Sequence, residues 1–368
     1  VNPTDLATEP NPGFVADTDR ELALSVVLPA RNEEVSLPAC LASLIGQSEA
    51  GFALGEEWEL IIVNDDSADG TRKIADEAAA AHLGGVIVLD APPLDLSERG
   101  GFTGKTNACW AGAQIARGKR FLFTDADTVH EPGNLSRALH EAEKYKAFLL
   151  SYSPRQILTG FWQHAVMPLV FSELASVYPP KQVNDPELRI AAANGQFLLV
   201  ERDAYFFVGG HRAVGADVLE DVALARNIKR GPRNIRFRYA PDALSTHMYR
   251  TTSDMIEGWT KNLALLFPQP TALALWRVLD VLLFFGLPAI ALGMPFLLVW
   301  QRSAIMLLWV RTLWRFYSRV AKSHFPTWDV AISILGVPLF VYMLLRSVVQ
   351  HRIKKSVVWK GRSYNPSR

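Results

Sequence analysis

The sequence predicts an α/β fold, a mostly parallel sheet flanked by helices, joined to a C-terminal helical region that seeks a membrane. Three observations carry this. Apolar runs alternate with helical stretches across residues 22–124, the pattern that β-α-β crossovers produce. Each run ends in polar residues, at Arg31/Asn32/Glu33, Asp65/Asp66 and Asp125/Asp127, and ligands of such sheets sit at the carboxyl ends of the strands. The apolar excess collects after residue 262, although the chain as a whole is only 49% hydrophobic.

Residues 22–28 are a short apolar run stopped at Pro29, which reads as a buried strand. A helix is expected over 35–46. Residues 58–63 read as a second strand, ending in Asn64-Asp65-Asp66-Ser67, and Asp69-Gly70-Thr71 leads into an Ala-rich helix over 71–82. A third strand over 86–89, a helix over 104–117 and a fourth strand over 120–124 complete the series. Residues 1–20 are polar and Pro-rich without a signal-peptide core, and read as a flexible lead-in. The expected organisation is a lead-in over 1–20, a soluble front domain over 21–262 and a membrane-associated helical region over 263–368 with a basic tail. A net charge of +1 argues against a nucleic-acid polymer as partner. Cys40 and Cys109 are too few for a disulfide framework and lack metal-ligand spacing.

Asp125-Ala126-Asp127 sets two carboxylates around one small residue directly after an apolar strand. One acid there would merely cap the next helix. Two suit a hard divalent cation, Mg²⁺ or Mn²⁺, which takes oxygen ligands and stabilises a departing diphosphate. The paired Asp65 and Asp66 can accept the imide N–H of a uracil ring, whereas Asp69 and Gly70 read as a turn and a helix start. Gly104-Lys105-Thr106 mimics the end of a phosphate-binding loop. Arg99 stands where that loop needs its first glycine, so the loop is rejected. Lys105 at a helix start can still meet a phosphate or a sugar hydroxyl. Glu220-Asp221 offers a carboxylate base for an acceptor hydroxyl, with ordinary helix-start acids as the plainer alternative. A lone His247 reads as structural rather than as a late metal ligand.

Taken in order, these segments resemble the family 2 glycosyltransferases, which have the GT-A fold. The matching residues are Val27-Leu28-Pro29-Ala30-Arg31-Asn32-Glu33-Glu34, Val63-Asn64-Asp65-Asp66-Ser67-Ala68-Asp69-Gly70-Thr71, Gly104-Lys105 with Asn107-Ala108, Asp125-Ala126-Asp127 and Glu220-Asp221. The resemblance implies inverting transfer from a nucleotide-sugar, with a UDP-sugar as first candidate. It implies that Pro29, Arg31, Glu33 and Asp65 line the nucleoside pocket. Asp125 would lie near the sugar, Asp127 would hold the metal with Asp125 beside it, and Asp221, with Glu220, would supply the base. Processive members carry Q-x-x-R-W after the base, where this chain has Glu257-Gly258-Trp259-Thr260-Lys261-Asn262. Trp259 and Lys261 are candidates for related work at the donor, and the missing Arg-Trp pair argues for single-sugar transfer. The tail Trp359-Lys360-Gly361-Arg362-Ser363-Tyr364 is similar to bacterial members that glycosylate carotenoids or accompany hopanoid synthesis, so a lipid-like or isoprenoid acceptor is expected.

Residues 278–300 are almost wholly apolar and, at about 1.5 Å per helical residue, long enough to span a bilayer. Residues 328–349 are similar but hold Asp329 and Arg346, so their clean apolar core is shorter, about 16 residues. Arg346, Arg352, Lys354 and Lys355 place the C-terminus in the cytoplasm, where nucleotide-sugars are made. Two full spans satisfy both ends, yet strand a basic stripe, Arg311, Arg315, Arg319 and Lys322, on the far side. That stripe reads as an interfacial helix on an anionic leaflet. A mid-segment Gly-x-Pro in each apolar segment, at Gly286 and Gly336, makes either a candidate for re-entry, which would keep the linker cytoplasmic. Monotopic and multi-segment attachment to the cell membrane thus both remain. A polysaccharide synthase and an inactive membrane scaffold are the competing functions. A dehydrogenase is excluded, because no G-x-G-x-x-G follows the first strand.

Overall fold

The structure, a computed structural model, describes residues 21–47, 49–94, 101–231, 233–354, 357–359 and 362–364. The expected lead-in over 1–20, Gly100, Lys355 and the Lys360-Gly361 centre of the tail motif lie outside them.

The chain opens as β1 (Leu22–Ala30), α1 (Leu37–Ile45), β2 (Trp58–Asn64), α2 (Thr71–Ala81), β3 (Val86–Asp90), α3 (Gly104–Ile115) and β4 (Gly118–Phe123). β1 runs on through Pro29, which pairs in register with Val63. There follow β5 (Thr128–His130), α4 (Asn134–Lys144), β6 (Ala147–Ser153), β7 (Arg155–Gln156), α5 (Phe161–Val177), α6 (Pro180–Val183) and β8 (Leu198–Glu201). Next come α7 (Arg202–Phe207), α8 (Gly210–Ala213), α9 (Glu220–Lys229), β9 (Asn234–Tyr239), β10 (Leu244–Thr246) and α10 (Thr252–Leu266). The long helices are α11 (Pro270–Gly293), α12 (Val299–Val320) and α13 (Thr327–Val349), and a hairpin of β11 (Val357–Trp359) and β12 (Arg362–Tyr364) ends the described chain.

The main sheet has the order β3-β2-β1-β4-β8-β6-β9. β1 to β4 are parallel, as the alternation predicts. β8 enters antiparallel between β4 and β6, which the sequence does not announce. α1, α2 and α4 bury one face of the sheet, around Leu37, Leu44, Ala75 and Ala138. α3, α7 and α9 bury the other, around Ala108, Tyr205 and Leu224. The chain therefore changes faces between β1 and β4, and such a switch opens a crevice at the strand ends.

A third core joins α5 and α10 to α11, α12 and α13. The boundary expected at residue 262 falls inside α10. α11 and α13 run unbroken through Pro288 and Pro338. α13 lies against α5, where a Cβ on Gly336 would collide with the Ala165 carbonyl oxygen. Backbone cannot move aside as a side-chain tip can. Gly336→Val is therefore expected to destabilise the protein by about 1–3 kcal/mol through overpacking, read as a lowered Tm in detergent. An unchanged Tm would show that this crossing is not close.

Candidate active site

The loops after β1 and β2 are knitted together. Asn32 and Asp66 both take left-handed backbone, φ 52° and 53°, a conformation that Asn and Asp tolerate better than most residues. The Asn32 side-chain oxygen accepts the Ala68 N–H at 2.8 Å, and the Glu33 N–H donates to Thr71 Oγ1 at 2.7 Å. Arg31 Nη1 donates to the carbonyl oxygens of Asp65 (2.7 Å) and Asp66 (3.2 Å). The Asp65 N–H donates to Ala30 across the strand ends. Pro29, Arg31, Glu33 and Asp65 thus share one rim of the crevice.

The Asp125-Ala126-Asp127 turn stands on a buried polar pedestal. Thr128 Oγ1 donates to the Asp125 carbonyl at 2.7 Å, and Thr124 donates to the Gln196 carbonyl. His130 Nε2 lies within hydrogen-bonding distance of both threonine hydroxyls. Burial pushes the His130 imidazole down to about 3, so it is neutral here. β5 pairs with β10 directly after the turn, which brings the His247 N–H to the Asp127 carbonyl at 3.3 Å. His247 Nε2 is buried without a hydrogen-bond partner among the described residues.

The charge centre lies between α3 and α9. Lys105, at the start of α3, reaches Asp125 Oδ1 at 2.7 Å and Glu220 Oε1 at 3.1 Å. Burial would lower the Lys105 ammonium, but Asp125 and Glu220 raise it well above the ordinary lysine value. Burial raises Glu220, yet Lys105 and then Lys261 outweigh it and hold that carboxyl below its usual range. Asp221 behaves oppositely. Burial first, then the Glu220 charge, pushes its carboxyl up to about 6. Two neighbouring acids pushed apart in this way suit different roles. Both Asp221 oxygens are fixed by backbone, Oδ2 by the Gly195 N–H at 2.8 Å and Oδ1 by the Val222 N–H at 2.7 Å. α9 begins at Glu220, so these acids stand at a helix start and, through Glu220, against Lys105.

Gly195 is the residue that sequence reading missed. A Cβ there would stand 2.9 Å from Lys105 Nζ and 3.6 Å from both Asp221 Oδ2 and Glu220 Oε1. A lone glycine before a short strand carries no sequence signal of that closeness.

Trp259 and Lys261 part company. Two residues apart on α10, they sit about 200° apart around the helix. Lys261 faces the charge centre, where burial lowers its ammonium and Glu220 opposes that. Trp259 packs in the third core against Phe171 and Tyr249, with its indole N–H donated to Met167 Sδ at 3.2 Å. Its expected place at the donor is corrected to a core place.

Among the described residues no group of three or more His, Cys, Asp or Glu is gathered as a metal cage. Asp125 is turned to Lys105, while the His247 backbone N–H meets the Asp127 carbonyl oxygen. A carboxylate and an imidazole fit a Mg²⁺ or Mn²⁺ ion whose remaining ligands come from phosphate and water.

The family model described as Glycosyl transferase family 2 matches residues 25–205. The chain is similar to a 4,4'-diaponeurosporenoate glycosyltransferase of Staphylococcus haemolyticus, 26% identical over 93% of this chain and 88% of that one. A protein of the same name from Staphylococcus aureus is 24% identical over 94% and 89%. Among solved structures, the mannosyltransferase PcManGT from Pyrobaculum calidifontis, in complex with GDP-Man and Mn²⁺, shares the fold. It superposes with a TM-score of 0.52 at 15% identity, over 92% of this chain and 90% of that one.

Proposed function

The chain is a glycosyltransferase with a GT-A fold and a family 2 domain over residues 25–205, and from that premise we propose inverting transfer of a sugar from a nucleotide-sugar to a carotenoid-like acceptor at the cytoplasmic face of a membrane. The observation that carries this reading is the charge centre, in which Lys105 meets Asp125 at 2.7 Å and Glu220 at 3.1 Å while the Gly195 N–H holds Asp221 beside them.

Residues 21–262 would form the catalytic unit and residues 263–368 the membrane unit. Pro29, Arg31, Glu33 and Asp65 hold the nucleoside, a uridine in the first instance. Asp127, with His247 beside it, would hold Mg²⁺ or Mn²⁺, which when bound supplies Lewis-acid stabilisation of the diphosphate. Lys105, with Lys261 behind it, keeps positive charge beside the place where phosphate charge develops, and Asp125 orients Lys105 from the sugar side. Asp221 takes the proton of the acceptor hydroxyl. The acceptor's apolar body is supported by the names of the two staphylococcal relatives.

The test is nucleoside-diphosphate release by the detergent-purified protein with Mn²⁺ or Mg²⁺, UDP- or GDP-sugars, and polyene or saturated acceptors. Release that needs a polyene acceptor, and is abolished by a chelator and by Asp127→Ala, is expected. Acceptor-independent polymer formation, or no nucleotide-sugar binding by calorimetry, would overturn the reading.

A further inference from the structure

α11 and α12 form an antiparallel hairpin whose two ends are fastened to the catalytic side. At its base, Arg277 Nη1 lies 3.2 Å from Glu173 Oε1 of α5 and 2.9 Å from Asp280 Oδ2. Arg319 of α12 reaches the same two acids at 3.3 and 3.0 Å. The side chains of Glu173, Arg277 and Asp280 are at most 7% exposed. Half-way along, the Trp309 indole N–H donates to the Phe284 carbonyl at 2.8 Å. At the tip, Arg302 donates to the carbonyls of Leu297 and Met294. These contacts fix the register. Asp280 lies level with Arg315, and Met294 with Arg302. The basic stripe expected to coat a leaflet is therefore divided, with Arg319 turned inward to the acids, Arg315 exposed but within 4.0 Å of Asp280 Oδ1, and Arg311 and Lys322 exposed.

One side of the hairpin packs on α13 and α5 in the third core, and the rest is apolar and open. At its tip Phe296, Leu298, Val299 and Trp300 are 58–82% exposed, and Leu282, Phe285, Leu307 and Val310 line its flanks in the open. A water-facing surface of this kind marks a membrane or a protein partner. The charges decide how deep it goes. Between Arg302 and Arg311, α12 has eight uncharged residues, 303–310, about 12 Å of helix at 1.5 Å per residue. A hydrocarbon core is about 30 Å thick. Trp276 and Trp314 stand exposed at the base beside Arg311 and Arg315, the pairing of aromatic and basic side chains that settles at a lipid headgroup layer. α13, apolar enough to cross, is 44% buried over its most apolar window against 17% for α11, because it lies along α5 and α10.

We infer that the α11–α12 hairpin dips into a single leaflet of an anionic bilayer, the one on the catalytic side, and does not cross it. Arg311, Arg315 and Lys322 meet the anionic headgroups, and residues 294–300 enter the acyl layer. Arg302 is accommodated there because its guanidinium is folded onto tip carbonyls. This rests on the membrane association proposed above and not on the sugar chemistry. It also gives an apolar acceptor, dissolved in that leaflet, a direct path to the catalytic side without crossing the bilayer.

Cys40 and Cys109 are the chain's only cysteines and both are buried, so single-thiol reporters are clean. The full chain would be reconstituted with phosphatidylcholine–phosphatidylglycerol vesicles, and oriented fractions treated with a membrane-impermeant maleimide from either side. The Lys322→Cys thiol is expected to react from the catalytic side alone. The Phe296→Cys thiol should react from neither side, and a fluorophore placed on it in detergent before reconstitution should be quenched several-fold by nitroxides confined to the catalytic-side leaflet. Reaction of the Phe296→Cys thiol from the opposite side would overturn the inference in favour of a crossing hairpin. Reaction from the catalytic side, in protein that still floats with vesicles, would overturn it by placing the attachment elsewhere. Failure to float, with copies cross-linked through the Phe296→Cys thiol, would overturn the membrane reading itself and make the face a contact between copies.

Discussion

Replacing Asp221 by Asn is expected to lower turnover by about 10²–10⁴-fold while donor binding stays nearly unchanged. The raised carboxyl is the reason. Burial and the Glu220 charge push Asp221 up to about 6, so near neutral pH it is ionised yet still basic enough to take a proton. A base must be ionised to act, so the wild-type rate is present above pH 6 and is lost as pH falls through it. The acid limb should drop about tenfold per unit below that point, and Asp221→Asn should flatten it. One amide group of the Asn would face a backbone N–H, of Gly195 or Val222, that the carboxylate now accepts. A Tm measured in parallel separates that local cost from lost chemistry. The measurement is single-turnover product formation from pH 5 to 8 together with calorimetric donor affinity. Retained turnover in Asp221→Asn would remove the base assignment. It would also point to an acceptor that arrives already ionised, such as a carboxylate.

How far the sequence foretold this site depends on whether the information was local. β1 to β4 were legible because each parallel strand is a short apolar run, buried almost throughout in β1 and β2, and the runs of β1, β2 and β4 end in the polar residues that rim the crevice. Asp65, Asp125, Lys105 and Asp221 could be named because their positions follow from those ends or from a helix start. What could not be read depends on contacts between distant segments. Gly195 meets Lys105 and Asp221 only because β8 enters antiparallel beside β4, and His247 meets Asp127 only through the β5–β10 pairing. Trp259 was misplaced because one helical register cannot send two residues at i and i+2 the same way. The basic stripe is only partly legible for a related reason. Spacing puts Arg311, Arg315 and Arg319 on one face of α12, but it does not reveal that Asp280 and Glu173 wait opposite that face at one end.

The second large effect is expected at Lys105, and its sign differs across the pH range. Lys105→Met removes a cation bonded to both Asp125 and Glu220. Losing a pre-organised cation from beside developing phosphate charge costs about 10²–10³ in turnover. The loss should not be uniform with pH. Lys105 is one of the groups that hold Asp221 and Glu220 down, so without it both acids titrate higher and the acid limb moves towards neutral pH. The variant should look worse at pH 6 than at pH 8, whereas a defect confined to phosphate contact would be equal at both. Its side chain is 35% exposed, so water and salt will screen part of the effect, and the contrast should narrow as ionic strength rises. A double-mutant cycle with Glu220→Gln makes the argument sharper. If the penalty of Lys105→Met comes from carboxylates left facing one another, removing the Glu220 charge in the same molecule should restore part of the acid limb, and the two losses will not add. If they add fully at every pH, Lys105 acts on the donor alone and the charge centre does not tune Asp221.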